Sequence, residues 1–186
     1  MKFIKSALTL VMCCTAAQVI AADGEINFTG SVTANTCSVN VGDLNGGAGA
    51  NVSLGNVPSL SLKKAGDTAG AGSFALTLTA PTVEEGGTDN CVLTGKTATV
   101  RFLSMNGAAG PNGQWLALEG AGADGVAKNV AVQIRDVKGM DIQLGQSSSE
   151  YADLTQPMRF TANYIATGEA TPGTANARAS FSVDYK

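Results

Sequence analysis

The chain has 186 residues, a formal net charge of −3 and no histidine, and only 15% of its residues are charged. A chain of this length suits one domain, its acidic balance argues against nucleic acid as a partner, and the missing histidine excludes a Ser-His-Asp triad. Its 23 glycines and its short runs of Val, Thr, Phe and Leu favour an all-β fold over a helical one.

Residues 1–22 are typical of a secretory signal peptide. Two lysines in "MKFIK" precede an apolar stretch, and "AA" before Asp23 is a small-residue cleavage site, with cleavage after Ala21 or Ala22 fitting equally well. The apolar stretch is shorter than the ~20 residues of a spanning helix, which disfavours a membrane anchor. A lipoprotein signal is disfavoured because no small residue precedes Cys13. We therefore expect the chain to be exported, and the mature chain to begin at about Asp23.

Two cysteines, Cys37 and Cys91, remain after cleavage. In an exported chain, a pair of cysteines favours one disulfide over two buried free thiols. The bond closes a loop of about 55 residues, for which the chain-entropy model gives about 4 kcal/mol. A metal site is disfavoured because there is no histidine and no CxxC motif.

The pattern predicts about nine short strands separated by glycine-rich turns, as in a β-sandwich. The first is an alternating segment at 24–32, followed by strands in "NTCSVNV", "VSLGNV" and "SFALTLTAP". Loops are predicted at "GDLNGGAGAN" and "KKAGDTAGAG". Further strand-like runs are "TATVRFLSM", "WLALEG", "NVAVQIRDV", "MDIQLG" and "MRFTANYIATG".

The last strand has two distinct faces. Small or apolar residues at Ala177, Ala179, Phe181, Val183 and Tyr185 alternate with Arg178, Ser180, Ser182 and Asp184. One face is expected to pack on a core and the other to meet water. A final strand has a free end and only one neighbour, unless another segment pairs with its open edge.

No arrangement in the sequence predicts catalysis or a cofactor. The acids in "DGEIN" and "TVEEGG" lie in polar contexts, and "GDLNGGAGAN" lacks the Lys-Ser/Thr ending of a phosphate loop. Trp115 and Tyr151 are lone aromatics, which pack in a fold more often than they stack on a sugar. A secreted β-sandwich enzyme is thus a disfavoured alternative.

Three ordered motifs stand out in the mature chain. "GEINFTGSVTANTCSV" has alternating apolar residues and a glycine seven positions before a cysteine, and "NVAVQIRDVKGMDIQLG" follows later in the chain. In "MRFTANYIATGEATPGTANARASFSVDYK", Gly173 is fourteenth from the end and the penultimate residue, Tyr185, is aromatic. In this order the motifs resemble the start, the middle segment and the C-terminal signature of the chaperone–usher pilin family, in particular of type 1 fimbrial major subunits.

The resemblance implies an immunoglobulin-like Greek-key sandwich that is incomplete and is completed by a donor strand from a neighbouring subunit. It implies a signal peptide at 1–22, a donor extension at 23–34 and a pilin domain at 35–186. The donor residues are Gly24, Ile26, Phe28, Gly30 and Val32, with Gly30 at a shallow pocket. The acceptor groove and chaperone-binding residues are Gly173, Ala177, Ala179, Phe181, Val183, Tyr185 and Lys186, whose carboxylate would be gripped by the chaperone.

The implied partners are neighbouring pilin subunits in a homopolymer, a periplasmic chaperone, an outer-membrane usher and a tip adhesin. The implied function is that of a non-enzymatic structural subunit of a surface fimbria that polymerises by donor-strand exchange and supports adhesion. Two alternatives stay open. One is a minor tip or adaptor subunit that contacts a receptor directly, which copy number in sheared filaments would distinguish. The other is a self-contained sandwich with residues 24–32 as its own first strand.

Overall fold

The computed structural model describes residues 37–43, 51–79 and 91–186, all within one compact unit. The described strands are β1 (Ser38–Asp43), β2 (Thr68–Thr79), β3 (Ala98–Ser104), β4 (Ala108–Ala109), β5 (Trp115–Ala117), β6 (Val130–Arg135), β7 (Met158–Ala166) and β8 (Ala179–Tyr185). One short 3-10 helix covers Ser59–Ser61. The all-β prediction is confirmed. No helix in the described ranges is long and apolar enough to cross a membrane.

The strands form two sheets. One has six strands in the order β1-β2-β7-β6-β5-β4, and the other has two, β3 and β8. Each strand pair is antiparallel. Consecutive strands β2 and β3 lie in different sheets, so the chain crosses the sandwich there, as Greek-key connections do.

The core lies between the two sheets and is built by alternate residues of the strands that face inward. Phe74 of β2, Phe102 of β3 and Phe160 of β7 form its aromatic centre, with ring centroids 5.3–6.0 Å apart. Leu76, Val100 and Phe160 are at most 1% exposed. Such period-two burial is the pattern that the sequence predicts for strands with one face on a core.

A disulfide joins Cys37 and Cys91, as predicted, with 4.8 Å between their Cα atoms. Cys37 directly precedes β1 in the large sheet, and Cys91 begins the segment that leads into β3 in the small one. The bond therefore ties the two sheets together.

Three predictions about local structure are wrong. "VSLGNV" at 52–57 is not a strand, because it pairs with neither sheet among the described residues. The loop predicted at 63–72 contains the first part of β2, which begins at Thr68 and has an irregular register between Ala69 and Gly72. "MDIQLG" makes an isolated bridge at Asp141 in place of a strand.

Candidate functional site

The last strand, β8, pairs with β3 and with no other strand among the described residues. At one end of the pair, the N–H of Lys186 donates to the Thr97 carbonyl (2.9 Å), and that of Thr97 to a backbone oxygen of Lys186 (3.2 Å). At the other end, the N–H of Met105 donates to the Arg178 carbonyl (3.1 Å). In an antiparallel pair such bonds recur at every second residue, so the even-numbered residues of β8 bond to β3.

The odd-numbered residues of β8 consequently direct their N–H and C=O groups to the opposite edge. These residues are Ala179, Phe181, Val183 and Tyr185, and their side chains also share the face that packs against the core. The edge thus combines an apolar face with backbone groups that have no partner within residues 37–43, 51–79 and 91–186. Both features require a partner, because unpaired polar backbone removed from water is costly and an open edge invites pairing with another chain.

A groove of about 1560 Å³ runs along this edge. One wall is formed by the chain from Gly173 to Phe181, and the floor by apolar side chains of both sheets. The floor residues include Phe74, Leu76, Phe102, Leu116, Val132 and Ile134. The groove therefore lies directly above the buried core, and Phe181 at its edge remains 36% exposed.

The second wall is the segment 51–57, which lies over the irregular part of β2. A Cβ atom on Gly70 would lie 2.5 Å from the carbonyl oxygen of Leu54, and one on Gly72 would lie 2.7 Å from that of Ser53. Glycine at these positions lets the wall pack directly on β2. The segment makes no backbone ladder with the described strands, so it presents a second unpaired edge across the groove from β8.

Tyr164 of β7 lies at one end of the groove and bonds to the wall that leads into β8. Its hydroxyl donates to the carbonyl oxygen of Ala175 (3.0 Å). A Cβ on Gly70 of β2, the strand on which the 51–57 wall packs, would lie 3.2 Å from Cδ2 of the same ring. Burial raises the pKa of the Tyr164 hydroxyl, so it stays a hydrogen-bond donor at physiological pH.

The expected acceptor residues divide into two groups. Gly173, Ala177, Ala179 and Phe181 line the groove. Val183 and Tyr185 are half-buried on the same face but lie beyond the groove lining, and burial raises the Tyr185 pKa. Lys186 is exposed and paired through its backbone with Thr97.

Gly173 has a physical reason to be glycine. A Cβ there would lie 2.5 Å from the carbonyl carbon of Val126 and 2.9 Å from Cα of Ala127. The next residue, Thr174, makes a parallel bridge with Val126, in which its N–H donates to the carbonyl of Gly125 (2.8 Å). Gly173 thus lets the final segment enter the groove wall in close contact with another part of the backbone.

Sequence reasoning did not find Tyr164 or the 51–57 wall. Tyr164 belongs to the alternating pattern of β7, where it looks like an ordinary core residue. The 52–57 pattern was interpreted as a strand of the sandwich itself. The expected donor residues, Gly24, Ile26, Phe28, Gly30 and Val32, lie outside the described residues.

The chemistry of the groove is that of binding an extended chain. It offers apolar pockets between two unpaired backbone edges, and no group of His, Cys, Asp and Glu in the described ranges is placed to hold a metal ion. Trp115 donates from Nε1 to Asp141 (3.0 Å), and Tyr151 packs on Phe160 with ring centroids 5.5 Å apart. Both aromatics therefore have packing roles in the fold.

Fold and groove together define an antiparallel β-sandwich with one strand position open. Comparison with known proteins then specifies the family. The model of the fimbrial protein family matches residues 26–186. The type 1 fimbrial subunit of Klebsiella pneumoniae is 38% identical over 169 residues, covering 88% of this chain and 84% of the relative.

Two solved structures agree with this assignment. An antigen and type I fimbria protein of Burkholderia pseudomallei is 31% identical, with a TM-score of 0.53 over 86% of this chain and 95% of its own. The P pilus rod subunit PapA has a TM-score of 0.58 over 81% of this chain and 99% of its own; at 15% identity it supports the fold alone.

The chain belongs to the fimbrial protein family and is a structural fimbrial subunit of the chaperone–usher class. The predicted immunoglobulin-like, incomplete sandwich and its resemblance to type 1 major subunits are confirmed. The family consists of structural subunits, so the chain is not an enzyme. The subunit is located in a surface fimbria.

Proposed function

We propose that this subunit polymerises by donor-strand exchange, in which residues 23–34 of one copy fill the groove of the next. The observation that carries the proposal is the groove itself, with unpaired backbone along β8 and an apolar floor. Adding a strand to an exposed edge gains main-chain hydrogen bonds, while alternate side chains fill pockets.

The segment 24–32 fits this groove in length and pattern. It is as long as the stretch 177–185, and its apolar residues recur at every second position. A strand paired with the odd-numbered residues of β8 directs the side chains opposite them to the same face of the sheet. Those side chains would enter the groove, and the intervening polar residues would face water.

Before assembly the same edge needs a temporary partner. A subunit with an open core groove would aggregate by edge pairing. A periplasmic chaperone that supplies a strand to β8 and holds the carboxylate of Lys186 meets this need, and an outer-membrane usher would then exchange it for the donor of the next subunit. A tip adhesin would begin the filament, which would support adhesion as a homopolymer of this chain.

Deletion of residues 23–33 tests the proposal. We expect the shortened chain to be exported and to form a complex with its chaperone, because the acceptor groove is intact. It should add no further subunits, so electron microscopy should show no filaments from cells that make only this variant. Filaments of normal length would overturn the donor assignment.

A matched pair of substitutions gives a sharper test. Gly30→Leu introduces a side chain into the groove, where overpacking typically costs about 1–3 kcal/mol, and should block or strongly slow assembly. Thr29→Leu places the same side chain on the opposite face and should be mild. If the sandwich were self-contained, both variants would act on folding of the subunit, and the amount of periplasmic complex would fall instead.

A further inference from the structure

We propose that the Asn106–Gly107 pair is a site of spontaneous chemical modification, at which Asn106 converts to aspartate and isoaspartate. Asparagine followed by glycine is the pair in which this reaction meets the least steric resistance, because glycine carries no Cβ atom. The described ranges contain two such pairs, Asn106–Gly107 and Asn112–Gly113, and the fold treats them differently. The inference goes beyond the proposed function and does not depend on strand exchange.

The reaction needs only water. The backbone nitrogen of Gly107 attacks Cγ of Asn106, a C–N bond forms, and the Cγ–Nδ2 bond breaks. Ammonia leaves with the proton of the Gly107 N–H, and a succinimide ring remains. Water then opens the ring at either of its carbonyl carbons. Opening at Cγ gives aspartate, and opening at the Asn106 backbone carbon gives isoaspartate, so that water is consumed, ammonia is released and no oxidant or cofactor takes part.

The attacking nitrogen is engaged in one pair and free to react in the other. The N–H of Gly113 donates to the Gly110 carbonyl (3.1 Å), and this bond must break before the nitrogen can turn toward Cγ. The N–H of Gly107 has no hydrogen-bond acceptor within the described residues, and Gly107 is exposed to water. Both glycines have a positive φ, 92° for Gly107 and 64° for Gly113, so the backbone region does not account for the difference.

The side-chain amide of Asn106 is not held by its oxygen. Its Oδ1 is buried and has no hydrogen-bond partner in the described structure. A desolvated acceptor without a partner destabilises the conformation that buries it, so rotation of the amide toward the exposed Gly107 breaks no bond at this atom. The N–H of Asn106 donates to Oγ of Ser104 (3.2 Å). That of Asn112 donates to Oε1 of Gln114 (2.9 Å), so the two asparagines are anchored alike through the backbone.

The product changes the turn that follows β3. The N–H of Met105 donates to the Arg178 carbonyl (3.1 Å), and the N–H of Ala117 donates to the Gly107 carbonyl (3.0 Å). Isoaspartate adds one carbon to the main chain between these two bonds, so they cannot both keep their present geometry. The first bond fixes the groove wall just before β8, and the second joins the turn to β5. Modification of Asn106 therefore weakens at least one of these two attachments.

Fimbriae sheared from cells and incubated in mildly alkaline heavy-oxygen water test the proposal. Mass spectrometry of the digested subunit measures the fraction of heavy-oxygen product at each Asn–Gly pair over time. Asn45–Gly46, which lies outside the described residues, is measured separately. We expect conversion at Asn106 to be at least about fivefold faster than at Asn112, the effect of the hydrogen bond that engages Gly113.

The unfolded chain separates the effect of the fold from that of the sequence. In denaturant with the disulfide reduced, Asn106 and Asn112 should react at similar rates, because each is followed by glycine and no fold engages either nitrogen. Asn106→Gln should abolish conversion at this position, since its side chain would have to close a larger ring, and should leave the rate at Asn112 unchanged. If Asn106→Gln does not assemble, Asn106→Ala serves in its place.

Amide exchange gives a second readout. In aged wild-type fimbriae the N–H of Met105 or that of Ala117 should exchange faster than in fresh ones, and in Asn106→Gln fimbriae ageing should change neither. Equal or slower conversion at Asn106 than at Asn112 in fimbriae would overturn the proposal, and so would a rate ratio in the unfolded chain as large as that in fimbriae. Product at Asn106 with unchanged exchange at both amides would overturn its effect on the turn.

Discussion

The two edges of the β3–β8 sheet differ completely in how they are protected. The edge of β3 that faces away from β8 is covered by the segment 145–151 of the same chain. The N–H of Gly145 donates to the Phe102 carbonyl and that of Ser148 to the Val100 carbonyl, both at 2.8 Å. Tyr151 and Ala98 exchange two further bonds, of 2.8 and 3.0 Å. The far edge of β8 has no such cover among the described residues.

This contrast shows that the open edge is not a general weakness of the sheet. Where the chain closes an edge, it does so with a non-strand segment fixed by a buried carboxylate. Asp136 is 3% exposed and accepts hydrogen bonds from the N–H groups of Lys138 (2.9 Å), Met140 (3.0 Å) and Ser149 (3.1 Å). The open edge of β8 is therefore a specific feature of the fold, and the proposed function explains why it is open.

Loss of the disulfide should have the largest effect. Cys37→Ser cuts the link between the two sheets, and a sandwich with one strand position open loses about 4 kcal/mol of a modest total stability. We expect the amount of periplasmic chaperone–subunit complex to fall strongly on immunoblots. Cys91→Ser and the double variant should behave alike. Wild-type amounts of assembled subunit would show that the bond is dispensable.

Proline at adjacent positions of β8 distinguishes its two edges. The N–H of Ser180 faces β3, so Ser180→Pro removes a ladder bond inside the subunit and should cost on the order of 2–3 kcal/mol. The N–H of Ala179 faces the groove, where proline is tolerated as on any edge strand.

For Ala179→Pro we therefore expect a subunit that keeps the β3–β8 pair but releases a bound 23–34 peptide about five to ten times faster, the effect of one lost hydrogen bond. Thermal unfolding of the peptide complex and the peptide dissociation rate are the two measurements. Equal effects of both prolines on unfolding would contradict the assignment of the two edges.

The closed edge can be weakened through Asp136. Asp136→Asn keeps one acceptor oxygen but brings an amide to face the N–H of Ser149, which should cost about 2–3 kcal/mol because a hydrogen-bonded buried charge is lost. Amide exchange at Gly145 and Ser148 should accelerate, because their N–H groups donate to the Phe102 and Val100 carbonyls, and so should exchange at Val100, whose N–H donates to the Ser148 hydroxyl. Unchanged protection there would mean that the segment is held by other contacts.

The same carboxyl makes a prediction about pH. Burial raises the pKa of Asp136, but hydrogen bonds from the Ser149 hydroxyl and from three backbone N–H groups outweigh it, and the net pKa is lowered. A pKa lower in the folded state than the ~3.9 of an unfolded aspartate gives stability that is present above that value. This contribution is lost as the pH falls through the folded-state value. Asp136→Asn should flatten this acid dependence in equilibrium unfolding.

The sequence predicts well those elements whose two faces meet different surroundings. The alternation in β8 identified its packed face and its exposed face, and β7 and β6 were found the same way, because side-chain period reports burial directly. The disulfide followed from export and cysteine number. These inferences need no knowledge of what lies across the groove.

Two of the three wrong predictions, those at 52–57 and 63–72, have one physical cause. Val52 and Leu54 alternate with exposed residues as in a strand and are half-buried, yet the segment has no strand partner in the described fold. Gly70 and Gly72, which suggested a loop, instead let this wall cross β2 at close range. The period of the sequence indicates which side chains are covered, but not which backbone is paired. The groove lies between two stretches of backbone that no other described segment pairs with.

The smallest effect is expected for the surface ion pair of the same sheet. Arg101 of β3 and Asp184 of β8 lie 3.6 Å apart, and their side chains are 43% and 52% exposed. Such pairs contribute little because water screens them and two long side chains must be ordered. A double-mutant cycle with Arg101→Ala and Asp184→Ala should give a coupling of about 0.5 kcal/mol or less, falling further in high salt. A coupling well above 1 kcal/mol would mean that side-chain charge adds substantially to the backbone ladder in joining β8 to β3.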